Sequence, residues 1–98
     1  MKKTINKVDL QIPVSITKDG SVFVAYTPAL DLSTYGSTEH EAKKSFSEIV
    51  EIFFEEFIDE PRALEEVLGS LGWKKQKNNW EPPVVKNTIQ DIKVSLAV

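Results

Sequence analysis

Val8, Leu10, Ile12, Val14 and Ile16 alternate with Asp9, Gln11, Pro13, Ser15 and Thr17, and the run stops at Asp19-Gly20. A period of two belongs to a strand with one buried face. An Asp-Gly pair followed by a second apolar run, Val22 to Tyr26, predicts a hairpin with a two-residue type I′ turn. No other feature constrains the chain as much, because a hairpin with one apolar face must join a sheet and bury that face against another layer. Pro13 offers no ladder N–H, which places the first strand at a sheet edge. Pro28 holds Thr27 extended, and Ala29 to Tyr35, closed by Gly36, supplies a short crossing and a third strand.

The covering layer begins at Thr38. Thr38-Glu39-His40-Glu41 has capping-box spacing, with the Thr38 hydroxyl accepting from the Glu41 amide and the Glu41 carboxylate returning to the Thr38 amide. Ala42, Phe46, Ile49, Val50, Phe53, Phe54, Phe57 and Ile58 then recur as one wide stripe of a helix. At about 100° per residue the stripe spans roughly half the circumference, more than a small sheet hides, so the side carrying Phe54 and Ile58 needs a second cover. Pro61 opens a second helix through Leu64, Val67, Leu68 and Leu71, ended by Gly72. Trp73 and Trp80 bracket a small hairpin turning at Asn78-Asn79, and Pro82-Pro83 ends regular structure. Ile92, Val94, Leu96 and Val98 alternate again, predicting a last strand that joins the sheet of its own subunit or of a partner, and with it a homo-oligomer. The expected fold is α+β, of order β-β-β-α-α-β. It has an antiparallel three- to four-stranded sheet with one long amphipathic helix packed on one face, in a single domain over residues 1–98.

Composition narrows the function classes. Ninety-eight residues hold one modest core, and the chain has no Cys and one His. That excludes a disulfide framework, a thiol nucleophile and Cys- or His-rich metal sites, and the expectation is a protein that is not an enzyme and carries no cofactor, metal or catalytic residue. No apolar run follows the basic N-terminus and none is long enough to cross a bilayer, so no membrane partner and a cytoplasmic location are expected. A net charge of −3 argues against a general phosphate-backbone binder. Pro82 and Pro83 interrupt the only space for a DNA-binding segment after residue 72, which argues against direct DNA binding and a separate DNA-binding domain.

The charges are segregated. Residues 39–66 carry ten acidic groups against three basic ones, a net of −7, and residues 67–98 carry a net of +3. Glu51 and Glu55, one helical turn apart, repel each other by a few tenths of a kcal/mol, which a basic partner would relieve. Trp73, Lys74, Lys75, Lys77 and Trp80 form the alternative site, aromatics and cations of the kind that stack and neutralise single-stranded nucleic acid; two indoles closing a small core explain the same residues. Asp19 and Asp31 are the carboxylates a metal-dependent nuclease would need, but turn formation accounts for the first and a strand end or loop hydrogen bond for the second. His40 has no candidate orienting partner and is not assigned a catalytic role.

Asp19-Gly20 through Thr38, with Tyr26-Thr27-Pro28-Ala29-Leu30 after the second strand, Gly36-Ser37-Thr38 and Glu41-Ala42 at the helix start, resembles the HicB-like antitoxin family. The resemblance runs from about Val14 to Phe57. It implies a partial, degenerate ribonuclease H-like fold without that enzyme's activity, and a bacterial type II toxin-antitoxin system in which the chain binds and occludes a small basic HicA-type messenger-RNA-cleaving toxin. Asp31-Leu32-Ser33 stands where the family usually has Pro-Gly-Cys, and the C-terminal DNA-binding module of many members has no counterpart here. The resemblance therefore implies an antitoxin without its own operator-binding domain, or an orphan HicB-like domain serving as an RNA-binding or protein-interaction module. The toxin-facing candidates are Glu48, Glu51 and Glu55 on the helix and Tyr26 and Asp31 near the turn.

Overall fold

The N-terminal alternation becomes a strand only beyond Pro13. A computed structural model describes residues 9–77 and 79–97. Strands β1 (Ser15–Asp19), β2 (Val22–Thr27) and β3 (Leu32–Gly36) form an antiparallel sheet in the order β1-β2-β3. Residues 9–14 carry no strand, since Pro13 cannot extend a ladder. Leu10 and Ile12 nevertheless pack on the core, and Val8 lies outside the described residues. The hairpin turn sits one residue later than predicted: Asp19 pairs with Val22, leaving Gly20 and Ser21 as the loop. Gly20 takes φ +61 while Asp19 and Ser21 keep negative φ, which fits a type II′ turn with Gly first rather than type I′.

Thr27 pairs with Leu32, and the loop between them folds into the protein. Ala29 and Leu30 are buried there, and the Ala29 amide donates to Thr27 Oγ1 at 3.1 Å. Asp31 closes the loop at φ +51, a left-handed conformation that Asp tolerates better than most side chains.

Helix α1 (Glu39–Glu55) starts at the expected cap, with Thr38 Oγ1 accepting from the Glu41 amide at 3.0 Å. The return bond differs by one residue, because the Glu41 carboxylate accepts from Ser37 N–H rather than Thr38 N–H. The helix packs chiefly on β3 and β2. Its close seat depends on Gly36: a Cβ there would lie 2.5 Å from the Ala42 nitrogen and 2.8 Å from the Glu41 carbonyl carbon. Those are backbone atoms that move only with the helix. Gly36→Ala is therefore expected to destabilise the fold by about 2–3 kcal/mol. Urea denaturation checks this, and an unchanged midpoint would mean that α1 is not seated so closely on β3.

Helix α2 (Pro61–Ser70) has Pro at its first position and ends in a complete Schellman motif. The Trp73 amide donates to the Leu68 carbonyl at 3.0 Å, the Gly72 amide donates to the Gly69 carbonyl at 3.2 Å, and Gly72 takes φ +92. Trp73 then enters β4 (Lys74–Gln76), paired with β5 (Asn79–Glu81) in the expected small hairpin, but Asn79 already pairs with Gln76, so the turn comes one residue earlier than Asn78-Asn79; Asn78 lies outside the described residues. Two apolar clusters result. Ala25, Ala42 and Phe46 fill the space between sheet and α1, while Ala29, Leu30, Leu68 and Trp73 fill the space under α2, with Ile12 and Val50 packed against both. Helix α2 thus supplies the second cover for the Phe54 side of the stripe, whereas Ile58, beyond the end of α1, stays 49% exposed.

The fold is α+β with the anticipated order, its final β part being the β4–β5 hairpin. The last strand expected from Ile92, Val94, Leu96 and Val98 does not form. Residues 82–97 carry no helix or strand, and Val98 lies outside the described residues. Ile92, Val94 and Leu96 are 71%, 68% and 75% exposed, so their alternation has no surface to bury against within the chain. The radius of gyration, 17.0 Å, exceeds the roughly 13 Å of a compact chain of this length. Among the described residues no helix is long and apolar enough to cross a membrane.

Candidate functional site

The acidic residues of α1 fall on its exposed side because the Phe46, Val50 and Phe53 side is occupied by the cores. Glu48, Glu51, Glu55 and Glu56 are all exposed, as are Glu60, Glu65 and Glu66 beyond them. Glu39 and Glu41 in the first turn complement the helix dipole. Glu51 and Glu55 sit at the opposite end, where the dipole is negative, and the last turn holds no basic residue. Each carboxylate so placed costs about 0.3–1 kcal/mol when unpartnered.

Ile52 stands in the middle of this ridge and is 55% exposed. Glu48 lies one turn before it and Glu55 and Glu56 one turn after, so an apolar side chain is ringed by carboxylates. The ridge reaches the sheet edge through a shallow cavity of about 330 Å³ whose lining includes Glu41, Lys44, Glu48 and Tyr35. Tyr35 on β3 is 70% exposed and, paired with Val24, points from the sheet face away from α1. Neither Ile52 nor Tyr35 was a sequence candidate. Ile52 lies off the helical stripe, a signal that an apolar residue among same-face acids supplies; Tyr35 looked like an ordinary strand residue.

Tyr26 and Asp31 lie elsewhere. Along β2, Ala25 and Thr27 point toward the core, so Tyr26 between them points from the opposite face of the sheet, away from α1. Its hydroxyl donates to Asp31 Oδ1 at 3.1 Å, bracing the left-handed residue. The structure therefore divides the five candidates, with Glu48, Glu51 and Glu55 on one layer and Tyr26 and Asp31 on the other. The hydrogen bond to Asp31, followed by burial and the negative charge of that carboxylate, raises the Tyr26 hydroxyl above its ordinary pKa near 10. A raised value means that the neutral phenol is favoured in the folded state. This contribution is present below pH about 10 and is lost as pH rises through the folded-state value. In a Tyr35→Phe background, ultraviolet titration is expected to give a Tyr26 midpoint above 10 that falls on Asp31→Asn; an unmoved midpoint would mean that the bond does not persist in solution.

The Lys and Trp segment is equally divided. Trp73 is 4% exposed and its indole N–H donates to the Ala29 carbonyl at 2.7 Å, so its ring belongs to the core and offers no stacking face. Lys75 is paired with Glu65 at 2.6 Å and lies 5.8 Å over the half-buried Trp80 ring, while Lys74 and Lys77 are exposed. Asp19 and Asp31 sit at opposite ends of β2, about 17 Å apart at strand rise, too far to share a pair of metal ions. Among the described residues no group of three or more His, Cys, Asp or Glu is placed to hold a metal. His40 is exposed in the first turn of α1.

The chain was compared with protein-family models, curated proteins and solved structures, and no match was found in any of the three.

Proposed function

We propose that the chain is a HicB-like antitoxin that binds a small basic HicA-type toxin through the outer face of α1 and inhibits it by covering its RNA-binding and catalytic surface. The observation that carries this reading is the composition of that face: exposed Glu48, Glu51, Glu55 and Glu56 surround exposed Ile52 at the helix end where carboxylates are least favourable. A basic partner relieves the repulsion and accelerates encounter, while Ile52 supplies the apolar contact typical of interface centres. The division of the candidates favours the helix layer as the docking face and gives Tyr26 and Asp31 the task of holding the β2–β3 loop. The chain contributes a folded surface and no chemistry of its own.

The test is growth of a bacterial host expressing the small basic protein encoded beside this gene, with and without the chain. Arrested growth that the chain restores is the expected result. A harmless neighbour, or toxicity that the chain fails to relieve, removes the antitoxin reading. An RNA-binding module would have to work with Lys74, Lys77 and Trp80, since Trp73 is in the core and Lys75 is held by Glu65. Changing Lys74, Lys75 and Lys77 to Glu is accordingly expected to leave rescue intact.

A further inference from the structure

The chain carries both halves of a strand-addition joint and does not bring them together within itself. One half is the C-terminal arm. Ile92, Val94 and Leu96 alternate with Asp91, Lys93 and Ser95, the pattern of a strand with one face to bury. The other half is β1. It is an edge of the sheet with no neighbour on its outer side among the described residues, and α1 sits over β3 and β2 rather than over it. Off-centre packing leaves a groove of about 270 Å³ between β1 and α1, lined by Val14, Ile16, Phe46, Lys43 and Ser47. Val14 at its rim is 39% exposed.

We propose that the arm of one copy adds as a fourth strand to the β1 edge of a second copy, reciprocally about a two-fold axis. Backbone N–H and C=O groups of the arm complete the open ladder, and Ile92, Val94 and Leu96 cover Val14, Ile16 and Phe46. A second copy is the occupant because it necessarily carries the matching half. Within its own chain the arm carries no helix or strand and its apolar residues stay exposed, and the longest dimension is 66 Å against 30 and 20 Å for the other two. Reciprocal exchange also doubles the buried area, toward the roughly 1,200–2,000 Å² of a stable interface. Lys18, which would otherwise guard the edge, has its ammonium 5.9 Å over the Phe23 ring. This inference does not depend on the basic partner proposed above.

The solution mass of the full chain is the test, read by light scattering at about 100 µM, a concentration well above the micromolar range of ordinary self-association. The expected value is about 22 kDa, twice the 11.1 kDa of the chain. Val94→Pro removes a ladder donor from the arm, and Val14→Glu places a charge at the receiving groove; each is expected to halve the mass. Val94 is exposed in an arm without secondary structure, so circular dichroism should be unchanged in that variant. A full chain that stays at 11.1 kDa overturns the proposal, whether its arm folds onto its own β1 or waits for another protein. A dimer that survives Val94→Pro places the interface elsewhere, and one that survives Val14→Glu alone rules out β1 as the acceptor.

Discussion

Trp73→Ala is expected to lower the stability of the fold by about 3–5 kcal/mol, the largest effect of any single substitution considered for this chain. The magnitude follows from three connections made by one side chain. The indole is buried against Leu68, lies edge-on to Phe54 at 6.4 Å, and donates its N–H to the Ala29 carbonyl. Ala29 belongs to the β2–β3 loop, so Trp73 ties the sheet to the second helix across the core. Against a total stability of about 5–15 kcal/mol for a domain of this kind, the loss is a large fraction. Trp73→Phe separates the contributions. It keeps most of the packing and leaves a buried carbonyl without a donor, so a cost of about 1–3 kcal/mol is expected. Urea unfolding of the two variants checks both values, and a Trp73→Ala midpoint close to wild type would mean that α2 does not dock on the loop.

Changing Glu48, Glu51 and Glu55 together to Lys is expected to weaken binding of a basic partner by about 100-fold or more, because like charges then face each other across the interface. The substitutions take residues 39–66 from a net of −7 to −1. All three side chains are exposed, and Lys near a helix C-terminus is favourable where Glu is not, so fold stability should hold or rise slightly. That opposition separates a docking face from a structural one. Ile52→Asp tests the centre of the same face and should also weaken binding without unfolding the chain. Loss of both stability and binding would instead mean that the acidic ridge supports the helix itself.

The elements that could be read from the sequence are those whose signals are local and complete. The β1–β2 hairpin follows from alternation and a glycine, α1 from its cap and stripe, and the end of α2 from Gly72. Pro13 shortened β1 as its missing donor requires, although the residues before it still reached the core through Leu10 and Ile12. Alternation alone misled at Ile92, Val94 and Leu96: it specifies a face to bury and is silent about which surface buries it. For the same reason the two tryptophans, alike in sequence context, took different places, Trp73 inside and Trp80 half outside. The candidate site was legible as charge and hidden as shape. The glutamates were visible in the sequence, but Ile52 lies off the stripe that defines the helix. The separation of Tyr26 and Asp31 from the glutamates depends on which sheet face α1 covers.

Titration calorimetry of the purified chain against the small basic protein encoded beside its gene tests the central claim most directly. The account predicts a saturable complex that weakens as salt is raised and is lost when Glu48, Glu51 and Glu55 are changed to Lys. Absence of binding, or equal binding by wild type and the triple variant, would contradict it.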